Sequence, residues 1–386
     1  MNGKLFNDNL LNEKTLEPLL ETLGLSEERH TLILELEEAI KSLLKEKARL
    51  KKNSKRIARN DSVKARVPAK TTLTQEEIRS LPGWVKADLE NAHLIGSSRS
   101  VVQTSDSRKY HLKNSLNSLS GAEWTFFLNS VINTRFPATG DESYAHHIRK
   151  EHPSPKPPQL TRQIIEFFTK EGELVFDYFM GVGGTLLGAS LSNRRAIGID
   201  LNNRYIEIYK EANSFLRLAE QETYQGDSLK ILGNEHLLEK IFRKRQASLI
   251  LIDPPYGDMM ARKKTGEAVK KSKDTSPTPF TLLESDLGNM DIDSFHQRFQ
   301  ESVQDSLAIL KPKGHLVVFI KDLQPKGKVL NLLHADLIRN LNKIPSLQYL
   351  GTKIWADQGV NLYPYGYPYA FVPNQIHQYI LIFKKQ

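Results

Sequence analysis

Ala247-Ser-Leu-Ile-Leu-Ile252 carries no charge and runs directly into Asp253-Pro-Pro-Tyr256. A short apolar run stopped by two prolines reads as a strand buried on both faces. Past Pro158, strand and helix patterns alternate around it as expected for an α/β chain with a mostly parallel sheet covered on both faces. The four residues after the strand are open to two readings. Asp-Pro punctuates loops of many kinds. The same four also make a rigid, partly dry cradle that offers a carboxylate acceptor and an aromatic face.

About seventy residues upstream, Leu174-Val-Phe-Asp177-Tyr-Phe179-Met-Gly181-Val-Gly183-Gly184-Thr185 reads as strand, glycine-rich turn, then a helix from near Thr185. Glycines at such a turn let the backbone approach a ligand, and the helix N-terminus adds a field that favours a carboxylate. Dinucleotide folds use the same device. A second strand, Arg195-Ala-Ile-Gly-Ile-Asp200, ends in an acid suited to two ribose hydroxyls. Asp227 sits where a third strand would end. Each acid alone is more often a cap or turn residue. Together with the glycines, at successive strand ends, they point to a cofactor of adenosine type.

His152-Pro-Ser-Pro-Lys-Pro157, followed by Val175 to Thr185, resembles the cofactor-binding region of S-adenosylmethionine-dependent amino-methyltransferases acting on DNA, and Asp253-Pro-Pro-Tyr256 resembles that family's catalytic tetrad. Lys113 to Trp124 is similar to the helix that leads into the His-Pro motif in some members. The similarity runs from about residue 108 to 386. Tyr178 stands where the family usually has proline, and the cofactor motifs precede the tetrad, an order that circular permutation exchanges without altering the sheet.

The resemblance implies a doubly wound, Rossmann-like sheet of seven strands. It also implies S-adenosyl-L-methionine held by His152, Pro153, Asp177, Phe179, Gly181, Gly183, Gly184, Thr185, Asp200 and Asp227. Of these, Gly181, Gly183 and Thr185 would face the methionine carboxylate, Asp200 the ribose and Asp227 the adenine. The catalytic set would be Asp253, Pro254, Pro255 and Tyr256. Asp253 and the Pro254 carbonyl would accept from an exocyclic amine, and Tyr256 would stack on the flipped base, its face mattering more than its hydroxyl. An Asp at the head of the tetrad favours adenine N6 over cytosine N4. The substrate expected is double-stranded DNA in a restriction-modification setting. RNA guanine N2, a protein glutamine and a DNA-binding assembly subunit are the alternatives.

Composition agrees with a nucleic-acid partner. The formal charge of +9 suits a polyanion. With no cysteine, disulfides and thiolate zinc sites are excluded, and no spacing suggests another metal site. No window is long and apolar enough for a membrane span, and no secretory core opens the chain. These absences predict a cytoplasmic, nucleoid-associated protein.

The expected organisation has three parts. Residues 1–70 form a helical, basic extension. Its Ile33, Leu36, Ile40, Leu43 and Leu50 make a heptad-like stripe, read either as an ordinary amphipathic helix or as a homodimer or partner seam. Lys51, Lys52, Lys55, Arg56, Arg59, Lys64 and Arg66 follow, a solvated face or a phosphate contact. Residues 71–150 form a helical lead-in, with Thr74 and Glu77 as a capping box. Residues 151–386 form the methyltransferase domain. Within it, 257–291 is a long polar loop, read either as a tolerated flexible insertion or as a DNA-contacting segment through Lys263, Lys264, Lys270, Lys271 and Lys273. Tyr349 to Trp355 and His377 to Phe383 read as a closing antiparallel pair. The aromatic stretch Tyr363 to Tyr369 between them reads either as a base-stacking loop or as a packed, stiff hairpin, with packing preferred because its prolines explain the stiffness.

Overall fold

The computed structural model describes residues 66–257, 280–322 and 332–386. The heptad stripe, nearly all of the basic run and the five loop lysines lie outside these residues. Pro68–Leu94 and Ser100–Gln386 form one compact unit, which carries everything below.

Its frame is a sheet of eight strands: β1 (Val131–Thr134), β2 (Leu174–Asp177), β3 (Arg195–Asp200), β4 (Glu222–Gln225), β5 (Ala247–Ile252), β6 (Leu310–Ile320), β7 (Leu347–Asp357) and β8 (His377–Lys385). Their spatial order is β1-β7-β8-β6-β5-β2-β3-β4. Strands β6, β5, β2, β3 and β4 are mutually parallel. β8 lies antiparallel between β6 and β7. The seven strands expected are therefore present, and β1 adds an eighth, parallel to β7 at the edge.

The sequence alternation shows why the sheet is covered twice. Ile250 and Ile252 of β5 join one apolar cluster with Leu316, Val318 and Ile320 of β6. Leu249 and Leu251 join the opposite cluster with Val317 and Phe319. Period-two side chains must bury on both faces, so helices are needed on both. On one face lie α1 (Pro158–Phe168), α2 (Gly184–Leu191) and α3 (Asn203–Phe215). On the other lie α4 (Ser228–Leu232), α5 (Glu235–Phe242), α6 (Ile292–Ser306) and α7 (Leu333–Leu341).

The lead-in is not wholly helical. Val101–Gln103 pairs antiparallel with Lys109–His111, and Val102 and Tyr110 bury against Leu81, Val85 and Leu94. The Thr74–Glu77 capping box forms as expected. In the stretch from Lys113 to Trp124 helix starts only at Gly121, where Ser120 and Glu123 close a second box. Asn114 and Asn117 side chains hold the preceding residues in turns by bonding local backbone N–H groups.

Candidate active site

The C-terminal ends of β2, β3 and β5 place the acids on one edge of the sheet. Asp177 ends β2, Asp200 ends β3 and Asp253 follows β5. Asp227 lies just past β4, where its carboxylate caps α4 by accepting from Leu229 and Lys230 N–H.

The turn after β2 needs its glycines for two different reasons. Gly181 has φ +49°, lies against His152 and lines the cavity; its N–H donates to Asp200 Oδ2 at 2.8 Å. Gly183 has φ +76°, and a Cβ there would sit 2.2 Å from the Tyr209 ring of α3. That corrects the expectation of close approach to a ligand: Gly183 lets the turn pack on α3 and lines no cavity in the site. Gly184 fits against the Lys156 backbone, where a Cβ would meet the carbonyl at 2.7 Å.

A cavity of about 300 Å³ joins the expected residues His152, Pro153, Phe179, Gly181, Asp200 and Asp227 to all four of Asp253, Pro254, Pro255 and Tyr256. A smaller one beside it is lined by Asp177, Gly184, Thr185 and Asp253. The structure also brings in residues that sequence reading missed. Tyr205 of α3 meets the His152 ring edge-on, with centroids 4.8 Å apart, and Phe280 stacks on His152 at 5.3 Å. Asn202 Nδ2 donates to the Phe280 carbonyl at 3.4 Å. Phe280, Thr281, Ser285, Asp286 and Leu287, at the end of the long loop, thus wall the cavity. Nothing in a single sequence pairs Phe280 with His152 across that separation.

Burial pushes Asp177 up to about 7, against a hydrogen bond from the Thr185 side chain. Burial also pushes Asp200 up to about 6, opposed by the backbone N–H groups of Asn202 and Gly181. His152 is pushed down to about 4, by burial first, with Asp253 pulling the other way. It is therefore neutral at pH 7. With Nδ1 accepting from Ser154 N–H, it serves as an aromatic wall rather than a base.

Asp253 is gripped at both oxygens. Tyr256 Oη donates to Oδ1 at 2.6 Å. Lys156 Nζ lies 2.5 Å from Oδ2, although its N–H groups make no aligned hydrogen bond. Tyr256 is itself buried. Lys156 belongs to the His152–Pro157 motif; its position as the charged residue between two prolines was the available signal. At the far edge, Tyr363 is tied to Asn374, but Tyr367, Tyr369 and Phe371 are 81%, 94% and 92% exposed, which overturns the expectation of a packed hairpin. Among the described residues no cluster could hold a metal ion, and no helix is long and apolar enough to cross a membrane.

Fold and strand-end acids define the class: a Rossmann-like methyltransferase fold. Residues 35–211 match the N6/N4 methyltransferase family model, whose description is DNA methylase. The matched span includes the His152 motif and the glycine turn and stops before Asp253.

The tRNA (guanine(10)-N2)-dimethyltransferase of Methanocaldococcus jannaschii is 30% identical over 160 residues, 40% of this chain and 43% of that protein. The type II methyltransferase M.HpaI of Haemophilus parainfluenzae is 41% identical over 68 residues, 18% of this chain and 22% of the relative. Among solved structures, TrmN from Thermus thermophilus is similar with a TM-score of 0.40 and 16% identity, over 64% of this chain and 53% of that one. The chain thus spans less than half the length of these curated relatives. The cradle has features that fit S-adenosylmethionine: a glycine turn at a helix N-terminus, an aromatic wall and acids at successive strand ends.

Proposed function

We propose that the chain transfers a methyl group from S-adenosylmethionine to the exocyclic amine of a base in DNA, adenine N6 in the first instance. The observation that carries this reading is the placement of Asp253 at the wall between the two cavities that hold the glycine turn and the tetrad. A bound cofactor supplies the electrophilic methyl. Gly181, Gly184, Thr185 and Asp177 would hold its methionine end, Asp200 the ribose and Asp227 the adenine. Asp200 keeps acceptor capacity for this, since a carboxylate has about four lone-pair sites and two backbone N–H groups occupy only part of them.

An amine attached to an aromatic ring is a weak nucleophile because its lone pair is delocalised. Asp253 and the Pro254 carbonyl accept its N–H groups, aim the lone pair and stabilise charge developing on nitrogen. Tyr256 holds the carboxylate for that task. The departing proton need not pass to Asp253; water takes it once the nitrogen is alkylated.

A second reading, methylation of guanine N2 in RNA, is supported by the length of the tRNA dimethyltransferase match, 160 residues against 68 for M.HpaI. One experiment separates the two. The chain is incubated with methyl-labelled S-adenosylmethionine and either genomic DNA or bulk tRNA, and the nucleosides are identified by mass spectrometry. N6-methyladenine in DNA supports the first reading, and N2-methylguanine in tRNA alone replaces it with the second.

A further inference from the structure

We infer that Lys156 reads the base: its ammonium donates to the ring nitrogen that adjoins the amine held by Asp253, so the two side chains together recognise an H2N–C=N edge. This rests on the amine-methyltransferase reading above and adds to it a residue and a substrate contact.

Lys156 is built into position from every side. Its side chain is only 9% exposed, and Nζ lies 5.1 Å from the centre of the Phe319 ring. Pro155 and Pro157 flank it, which fixes its backbone. The buried Arg149 guanidinium donates Nη1 to the Lys156 carbonyl at 2.8 Å. Gly184 leaves room for that same carbonyl. A lysine needed only for charge can sit on a mobile surface stem; this one is held rigidly where it lies 2.5 Å from Asp253 Oδ2.

The ion pair leaves N–H donors to spare. Nζ is buried without an aligned hydrogen-bond partner, an arrangement that is costly unless something completes it. An ammonium has three N–H donors and no acceptor. Lys156 lines the small cavity together with Asp253 and also borders a second cavity of about 310 Å³. A ligand beside the pair should offer a donor to Asp253 and an acceptor to Lys156. An adenine or cytosine edge has the matching pattern: the amine donates to Asp253, and the adjacent ring nitrogen accepts from Lys156.

The test compares wild type, Lys156→Met and Lys156→Arg in single-turnover transfer to the nucleic acid and site that wild type methylates. The second substrate carries a deaza analogue of the target base, with CH in place of the adjacent ring nitrogen (1-deazaadenine or 3-deazacytosine). Losing a hydrogen bond to a charged donor is expected to slow wild type roughly tenfold to a hundredfold on the analogue. Lys156→Met should be slowed by a similar factor on the normal base, yet lose less than about threefold more on the analogue. Lys156→Arg, which keeps the charge and the fold, should retain part of the discrimination. Equal analogue penalties in wild type and both variants would overturn the inference while leaving amine methylation intact. Absence of transfer by wild type to any base would remove both.

Discussion

Tyr256 Oη donates a 2.6 Å hydrogen bond to Asp253 Oδ1, so the tetrad's aromatic residue is joined to its carboxylate through the hydroxyl. The sequence offered the ring as a stacking face whose hydroxyl hardly mattered. In the structure the ring is buried and the hydroxyl fixes one of the two carboxylate oxygens. Tyr256→Phe is therefore expected to slow single-turnover transfer by about tenfold, the scale of one hydrogen bond to a charged group. Tyr256→Ala should be slower still. A Phe variant at wild-type speed would return the residue to a stacking role alone.

Asp200 accepts from Gly181 N–H and so holds the turn, and in the proposed function it also takes the ribose. Asp200→Ala should weaken S-adenosylmethionine binding by about tenfold to a hundredfold in calorimetry, since a charge-assisted hydrogen bond and the turn's anchor go together. Gly183→Ala should act differently. Its Cβ would strike Tyr209 and its φ is positive, so the expected loss is about 1–3 kcal/mol of stability in denaturant unfolding. Unchanged stability with lost cofactor binding would mean that Gly183 faces the ligand after all.

The buried acids give the cofactor-free protein an unusual pH dependence. Burial holds Asp177 at about 7 and Asp200 at about 6, where 3.8 is the ordinary value for both. Both groups therefore bind protons more tightly in the folded chain. Their contribution to stability is fully present below the unfolded value and is lost as pH rises through 6 and 7. The melting temperature of Asp177→Asn, followed without cofactor between pH 5 and 8, should fall less with rising pH than that of wild type. Parallel curves would show Asp177 ionised throughout.

The basic N-terminal run is best tested by deleting residues 1–65. A cut at 70 would remove Ala69, which is fully buried and whose N–H donates to the Ala92 carbonyl. The truncated protein is expected to keep cofactor binding but to bind DNA with a salt slope lower by about one unit per lost phosphate contact. An unchanged slope would show that these lysines and arginines touch no phosphate.

How much was legible follows from how local each signal is. The unbroken apolar runs in Ala247–Ile252 and Leu316–Ile320 carry the sheet directly, because consecutive apolar residues on a strand must bury on both faces. The strand-end acids were legible because each is fixed by its own strand. Gly183 was misread because its neighbour, Tyr209, comes from the next crossover helix. Lys156 was visible in its motif, but its partner lies 97 positions further on in Asp253, and only the sheet brings them together. The aromatic run from Tyr363 looked packed because prolines stiffen it; stiffness and burial are separate properties, and Tyr369 has only the first.

The central claim is that Asp253 acts on the substrate amine and not on the cofactor. Asp253→Ala is the direct test, read in two assays on one preparation: calorimetry with S-adenosylmethionine, and labelled methyl transfer to DNA resolved by nucleoside mass spectrometry. The account predicts cofactor affinity within about twofold of wild type and transfer reduced by about a thousandfold or more, the scale of removing an electrostatic stabiliser of the transition state. Near-normal transfer by the variant, or loss of cofactor binding in step with transfer, would contradict it.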